Sequence, residues 1–461
     1  MAERCVVLDW AASGAMALTG QPDGAPEPSP APVLAMLGMV TDELTQVTQG
    51  TGTRVRADPA ELLTARAALA GFTRRGRISA GGSSYLLPAA DGWWAITLSR
   101  PDDLTAVPAI LGMLGLSAPE PAGEPRFAEP RAALTAAGRV RSAAELAAAA
   151  QLLGVPAAAL PTTAAPPEAA LSATTPAETA PAAAAGWPPW QAARIAPPSP
   201  AAGLTGAVVA DLSSMWAGPL CARLLGLAGA DVIKVESPGR PDGARAGNRE
   251  FFAWLHPGHR SLAADFGTEP GRAALKALLS TADIVIEASR PRALAALGLA
   301  PDMIPHPDGQ VWLSITGYGR AMPDRVAFGD DAAVAGGLVG WTNGEAAPEP
   351  VFCADAIADP LAGVCGALAV ARSVAAGGGE LIDLSMRDVA AAFAAAPPPA
   401  HGPHEVGPDG FVTCPRSGRR QAVLPPRRPV PPPGPMARYA ADLGADTSAV
   451  LAWLAGRAAA C

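Results

Sequence analysis

The sequence predicts an α/β protein with a doubly wound, parallel-sheet large domain and a smaller α+β domain. Three observations carry this reading. From Gly206 onward, short unbroken apolar runs alternate with amphipathic stretches; the first 160 residues instead hold a hairpin signal followed by Ala/Leu-rich helical runs; and a Pro/Ala-rich stretch separates the halves. Strands of a parallel sheet are covered on both faces, so they read as continuous apolar runs.

In chain order, Tyr85-Leu-Leu and Trp93-Trp-Ala-Ile-Thr-Leu flank a turn at Ala90-Asp-Gly92 and predict the hairpin. Helices follow over Val107 to Leu114 and Ala143 to Leu153. Residues 163–202 lack hydrophobic periodicity and predict a linker. Beyond it, Gly206-Ala-Val-Val-Ala-Asp-Leu reads as a buried strand, Pro219 to Ala228 as a helix closed by Gly229, and Val232 to Glu236 as the next strand. A second round gives a helix from about Pro270 to Leu279, a strand at Ile284 to Glu287, a short helix around Leu294, and a strand at Val311 to Ile315.

The chain has 461 residues, 49% of them hydrophobic, enough apolar material for two domains. Thirty-four Lys and Arg stand against 42 Asp and Glu, for a net charge of −8, and no block of like charge interrupts the sequence, which argues against a nucleic-acid partner. Only Lys234 and Lys276 are lysines, while Gly (49) and Pro (50) are abundant among long alanine runs, so an Ala-rich window carries little weight. The six cysteines (Cys5, Cys221, Cys353, Cys365, Cys414, Cys461) show no metal-ligand spacing, and the acid at Glu3 leads to the expectation of no secretory leader. Reduced thiols, no metal, no membrane span and a cytoplasmic protein are the expectations.

Residues Asp9 to Pro26 resemble Asp331 to Pro348, and Thr53 to Leu63 resemble Gly379 to Val389. The copies are unequal: the earlier has Pro32-Val-Leu-Ala-Met where the later has Cys353-Ala-Asp-Ala-Ile-Ala-Asp. Acid chemistry at that place belongs to the second copy alone.

Four features invite a chemical reading. The loop Ser213-Ser-Met-Trp-Ala-Gly-Pro219 joins a strand to a helix and suits either a phosphate-bearing ligand or an ordinary tight turn, with Glu236 at the usual distance for a ribose contact. Asp359 in Asp355-Ala-Ile-Ala-Asp-Pro-Leu-Ala-Gly363 is an N-cap or a carboxylate nucleophile kept ionised by a helix dipole. Gly81-Gly-Ser-Ser84 is a plain loop or a mobile lid. His256, His259, His306, His401 and His404 lie mostly beside Pro or Gly, and a surface position is expected for all five.

The combined string Val209-Ala-Asp-Leu, Leu227-Ala-Gly-Ala-Asp-Val-Ile-Lys-Val-Glu-Ser-Pro-Gly, Phe251-Phe-Ala-Trp-Leu-His-Pro-Gly-His-Arg-Ser-Leu, Ala282-Asp-Ile-Val-Ile-Glu-Ala-Ser-Arg-Pro and Ser314-Ile-Thr-Gly-Tyr-Gly resembles the class III (family III) CoA-transferases, which include formyl-CoA transferase, carnitine CoA-transferase and α-methylacyl-CoA racemase. The resemblance covers residues 204 to about 395 and implies a Rossmann-like, CoA-binding large domain there. It also implies an unusual order: 1–75 as a degenerate partial repeat of the large domain, 76–162 as the small domain, 163–203 as linker, 204–395 as the large domain and 396–461 as a tail returning to it. Gly81-Gly-Ser-Ser, Ala90-Asp-Gly-Trp-Trp, Pro125-Arg-Phe-Ala and Leu153-Gly-Val-Pro carry the small-domain match. A circular permutation or a duplication followed by loss would give this order, and the internal similarity favours the second.

Carried onto this chain, the catalytic aspartate falls on Asp359, with Asp355 as fallback. CoA contacts fall on Trp216, Ala217, Ser237, Ala264, Asp265, Phe266, Ala288, Ser289, Arg290 and Phe328, and the glycine loop on Gly81 and Gly82. Ser237 replaces a residue that is often basic, and Ala288-Ser289 an Asn-Phe pair. The implied reaction moves CoA from an acyl-CoA thioester to a carboxylic acid through an aspartyl mixed anhydride and an aspartyl-CoA thioester, with CoA as substrate and no tightly bound cofactor. A carboxylate with an ordinary pKa of about 3.9 is ionised at neutral pH and able to attack, and a glycine flap would exclude water. Racemisation beside an acyl-CoA thioester remains open, although Ala327-Phe-Gly-Asp-Asp-Ala offers two acids and no histidine; so does a catalytically inactive CoA-binding remnant. A homodimer, interlocked as in the family, is the implied assembly.

Overall fold

The computed structural model describes residues 5–29, 31–116, 128–164, 187–200, 203–342, 347–397, 404–430 and 440–458. The motif residues Pro125 to Phe127, His401, Cys461 and most of the expected linker lie outside them.

Three helices come first: α1 (Val6–Ser13), α2 (Val33–Thr51) and α3 (Pro59–Ala70). Asp58 starts α3 by accepting the N–H of Ala60, with Pro59 in the first turn and a left-handed Gly71 closing the last. The hairpin follows as β1 (Ser84–Ala89) and β2 (Gly92–Thr97), in register from Ser84 opposite Thr97 to Ala89 opposite Gly92, and β3 (Ala157–Ala159) extends it antiparallel to β2. Helices Val107–Met113, Ala128–Gly138 and Ala143–Leu152 accompany it, and Trp94, Ile96, Ile110, Leu134 and Leu146 fill the common core.

The main sheet uses β4 (Trp190–Arg194), β5 (Val208–Asp211), β6 (Asp231–Glu236), β7 (Arg260–Ala263), β8 (Ile284–Glu287), β9 (Val311–Thr316) and, after the small pair β10 (Val339–Trp341) and β11 (Pro350–Phe352), β12 (Glu380–Ser385). Its order is β4-β12-β9-β8-β5-β6-β7, parallel throughout except for β4 at the edge. The chain enters at β5, builds outward to β7, then returns to β8 and builds the other way. Strand β4 corrects the expected linker: Trp190 to Arg194 is an edge strand paired to β12 through its backbone, with mostly exposed side chains, so no apolar pattern announced it.

Around the sheet lie α4 (Ala217–Leu227), α5 (Gly329–Ala335), α6 (Ala358–Ala375) and α7 (Met386–Ala394). Helix α6 is long and apolar enough to cross a bilayer, but it is buried in the protein, held between α4 and α2. The contact with α4 is close enough that a Cβ at Gly363 would stand 2.7 Å from the Ala217 carbonyl oxygen. The two segments that resemble each other in sequence are built differently: the earlier holds α1, α2 and α3 with no strand among the described residues between them, the later α5, α6 and α7 with β10, β11 and β12 in between; α2 packs on α6, α3 also touches α6, and α7 touches α2. After α7, a meander of β13 (Glu405–Val406), β14 (Phe411–Thr413) and β15 (Arg420–Ala422) lies against α1, and α8 (Thr447–Ala458) docks on β7 through Asp446 and Thr447.

The histidines depart from expectation. His256, His259 and His404 are buried, His256 with its ring tilted over Phe252 at 4.4 Å between centres and His404 against Cys5. Burial drives the first two far down, His259 to about 3, so both are neutral. His306 is partly buried, 2.6 Å from Gln310.

Candidate active site

Asp359 is the second residue of α6, not its cap: the cap position is Ile357, which has no side chain able to do the work. The approach is strained, because Ala354 (φ 57) and Ala356 (φ 42) both sit in the left-handed region that alanine avoids. Two side chains hold it there. Thr19 Oγ1 accepts the N–H of Ala354 at 2.9 Å, and Asp330 Oδ1 accepts the N–H of Ala356 at 3.1 Å. The kink delivers the Asp359 carboxylate to the start of α4, where it accepts the N–H of Ala217. It also brings the carboxylate against the backbone at Gly329, where any Cβ would collide with Asp359 Oδ2 and the Ala356 carbonyl. Phe328, which heads α5, is therefore its neighbour.

Arg66 reaches in from α3. Its Nη1 donates to Asp355 Oδ1 at 2.9 Å, and its guanidinium lies 5.3 Å from the Phe72 ring centre and 5.4 Å from that of Trp216. A Cβ on Gly81 would stand 3.3 Å from Arg66 Nη2, so the glycine loop borders this arginine. Gly82 (φ 84) makes the tight turn and donates to the Ser79 carbonyl at 2.8 Å. Arg66 was missed by the sequence reading. The only available signal was indirect, since three acids in one apolar half require a counter-charge.

The ionisation expected for Asp359 is corrected. Burial pushes its carboxyl up to about 7, with Asp330 and Asp355 adding to the rise, while Arg66 and the Ala217 N–H oppose it. Burial likewise lifts Asp355 to about 6 against the pull of Arg66. Asp355 is wholly enclosed and salt-bridged, whereas Asp359 is partly exposed. The fallback is thus the less accessible of the two carboxylates. Asp330 and Asp331, also raised, the latter to about 8, bind the hairpin: Ser84 Oγ donates to Asp330 at 3.0 Å and Thr97 Oγ1 to Asp331 at 2.9 Å. Ser84 and Thr97 face each other across β1 and β2, so the hairpin's register aims both hydroxyls at α5.

The model of CoA-transferase family III matches residues 204–430. A protein named succinate–glutarate CoA-transferase, from Agrobacterium fabrum, is 33% identical over 212 residues, 42% of this chain and 53% of that protein. One named formyl-CoA:oxalate CoA-transferase, from Escherichia coli, is 30% identical over 199 residues, 40% of this chain and 48% of that one. Among solved structures, a CAIB/BAIF family protein from Brucella suis is 31% identical, covering 42% of this chain and 55% of that chain with a TM-score of 0.37. The chain spans about half the length of the curated relatives it matches. Residues 204–430 belong to CoA-transferase family III.

Within this family III segment, the remaining expected CoA contacts line the carboxyl ends of adjacent strands. Trp216 and Ala217 follow β5, Ser237 follows β6, Ala264 to Phe266 follow β7, and Ala288 to Arg290 follow β8. Ligands of parallel α/β sheets bind along that edge. Trp216 is buried edge-on to Phe251, at 5.4 Å. Its loop is fixed from below: Met215, at φ 74, donates to Asp242 Oδ1 at 3.1 Å, and buried Lys234 lies 3.1 Å from Asp242 and 3.7 Å from Asp211 while binding the Ser213 carbonyl. Ser237, Phe266, Ser289 and Arg290 are half-buried, Asp265 and Ala288 exposed, and Ala264 buried. Glu236 is not open to a ribose, which corrects that expectation: it is buried and paired with Arg245 at 2.6 Å.

Arg290 shows a further feature of the family III segment. Its guanidinium lies 3.4 Å from the Gly154 carbonyl, which also accepts from Arg100 at 3.0 Å. Burial and the nearby charges of Arg292, Arg100 and Arg240 depress its pKa. Arg290 and Arg100 thus meet at the Gly154 carbonyl, near enough to Arg240 and to Arg292, itself paired with Asp324 at 3.0 Å, for Arg290 to feel their charge, and Arg100 also lies 5.9 Å from the Phe328 ring centre. Sequence named one of the four. Asp359, Trp216, Ala217 and Gly81 are gathered around Arg66, Phe328 faces Arg100, and Ser237 and Ala264 to Phe266 follow the strands farther along the sheet.

Proposed function

We propose that the protein is a family III CoA-transferase that moves CoA from an acyl-CoA thioester to a carboxylic acid, with Asp359 as the group that carries the acyl and CoA intermediates. The supporting observation is the setting of Asp359: a partly exposed carboxylate raised to about 7, facing the Ala217 N–H and the Arg66 charge at the end of the family III sheet. Near neutral pH about half of it is ionised, and a carboxylate of that basicity is a better nucleophile than one at about 3.9. The ionised oxygen attacks the thioester carbonyl, the C–S bond breaks, and a mixed anhydride and CoA thiolate form. The thiolate attacks the aspartyl carbonyl, giving an aspartyl-CoA thioester and releasing the donor acid. An incoming carboxylate displaces the thiolate as a new anhydride, and the thiolate takes the incoming acyl group, regenerating Asp359. Arg66 lies next to the charge that reappears in each half, and Gly81 and Gly82 cover it against water.

In this reading the sheet works as a doubly wound, Rossmann-like layer with CoA along the carboxyl ends of β5 to β8, and the Arg100, Arg240, Arg290 and Arg292 group receives its phosphates. The first 75 residues are a partial large-domain repeat left by duplication and loss. The working form is a cytoplasmic homodimer, which sedimentation of the purified protein tests. Incubation with a panel of acyl-CoA esters and carboxylic acids, followed by intact mass measurement, tests the chemistry. The expected result is a CoA-sized or acyl-sized adduct on the native protein and none on folded Asp359→Asn; an unmodified chain with every thioester overturns it.

A further inference from the structure

We propose that Cys5, His404 and Cys414 form a binding site for a thiophilic divalent cation, zinc being the ion their chemistry suits. The three are scattered through the sequence, the first pair 399 residues apart, so no ligand spacing could announce them. In the fold they converge. Cys5 Sγ lies 3.1 Å from His404 Nε2, one donor atom from each residue lies within 4.8 Å of the other two, and all three residues are buried. Zinc at about 2.3 Å from sulfur and about 2.0 Å from nitrogen puts tetrahedral vertices about 3.5–3.8 Å apart. Movements of an ångström or less would therefore bring the three donors onto three corners of the tetrahedron.

Independent support comes from what surrounds the sulfurs. Cys5 stands immediately before α1 and accepts from the backbone N–H groups of Val7 and Leu8. Cys414 opens the turn Cys414-Pro-Arg-Ser-Gly418 between β14 and β15, which closes on a left-handed Gly418, and accepts from the N–H groups of Arg416 and Ser417 and the Ser417 hydroxyl. Two backbone donors are thus aimed at each sulfur from two unrelated turns, the kind of outer hydrogen bonding that orients the ligands of a metal site. The site would tie the first helix to the meander after α7, which already meet where the Leu424 N–H binds the Ala11 carbonyl at 3.0 Å.

The test is metal analysis of the whole protein, purified reduced and without chelator. About one zinc per chain is expected, with at least a tenfold weaker affinity in His404→Ala and Cys414→Ser. Because a lost ligand can unfold the chain, cobalt is also added to metal-free native protein, where a thiolate-to-cobalt charge-transfer band is expected. Native protein that holds no zinc and gives no such band overturns the proposal. So does a Cys5–Cys414 disulfide that forms equally with and without zinc, because a site of this kind protects both sulfurs.

Discussion

Arg66→Met removes a positive charge from a pocket that holds Asp330, Asp355 and Asp359. At about 4 Å and an effective dielectric of about 20, one charge pair is worth about 4 kcal/mol. The Arg66 side chain is 27% exposed, so solvent screening reduces this to about 2 kcal/mol at Asp355, or about 1.5 pKa units. Asp359, bound to Arg66 by no hydrogen bond, feels less; about one unit is expected. Its pKa, already raised to about 7 by burial, then rises to about 8. In the proposed mechanism the attacking species is the anion, so the acid limb of kcat/KM moves upward by the same amount. At pH 7 the ionised fraction falls from about one half to about one tenth, a loss of about fivefold that is recovered above pH 9. Arg66→Lys keeps the charge and leaves the limb near 7. Measured pH profiles for the three proteins decide the matter. A loss of equal size at every pH, or an unmoved limb in the Met variant, refutes this account of Asp359.

Asp331 carries a pKa raised to about 8 by burial, so its contribution to stability is complete below about pH 4 and is lost as pH rises through 8. Asp331→Asn keeps an oxygen for Thr97 and Phe328 and should stabilise the protein by roughly 2–3 kcal/mol at pH 9 relative to pH 6, read from denaturant midpoints at the two pH values. Arg290→Ala should raise the KM for an acyl-CoA about tenfold, about 1.4 kcal/mol, with a smaller effect on kcat and a weaker dependence of KM on salt; an unchanged KM would detach the arginine group from CoA.

Much of the sheet was legible because its strands are short apolar runs separated by helices that end at glycine, as β5, α4, Gly229 and β6 illustrate. Strand β4 was not, since its partner supplies only backbone bonds and its side chains face solvent. The family pattern singled out Asp359 as a candidate, but the rise in its pKa could not be read there. A helix N-terminus argues for a low value, while enclosure by α2, α4 and α6 and the company of two further acids raise it. Arg66 was illegible for a related reason. Nothing in Leu62-Leu-Thr-Ala-Arg-Ala-Ala-Leu69 marks one arginine as special, and its acids lie 289 residues away in the case of Asp355.

The site therefore depends on two stretches that the linker separates. The family III match begins at residue 204, yet Arg66 and the glycine loop both precede it, and the α3 contact with α6 is what keeps the arginine over the acids. Asp355→Asn isolates this dependence. On its own it removes a like charge from beside Asp359, whose pKa Asp355 raises, so the acid limb of kcat/KM moves to lower pH. Combined with Arg66→Met, it removes one charge of each sign, and the two displacements oppose each other, returning the limb toward about 7. Were the double variant to shift as far as Arg66→Met alone, Asp355 would be electrically irrelevant to Asp359 and the arginine would act by shape. An intermediate limb instead assigns Arg66 and Asp355 one shared function, a buried pair whose balance sets how much of Asp359 is ionised.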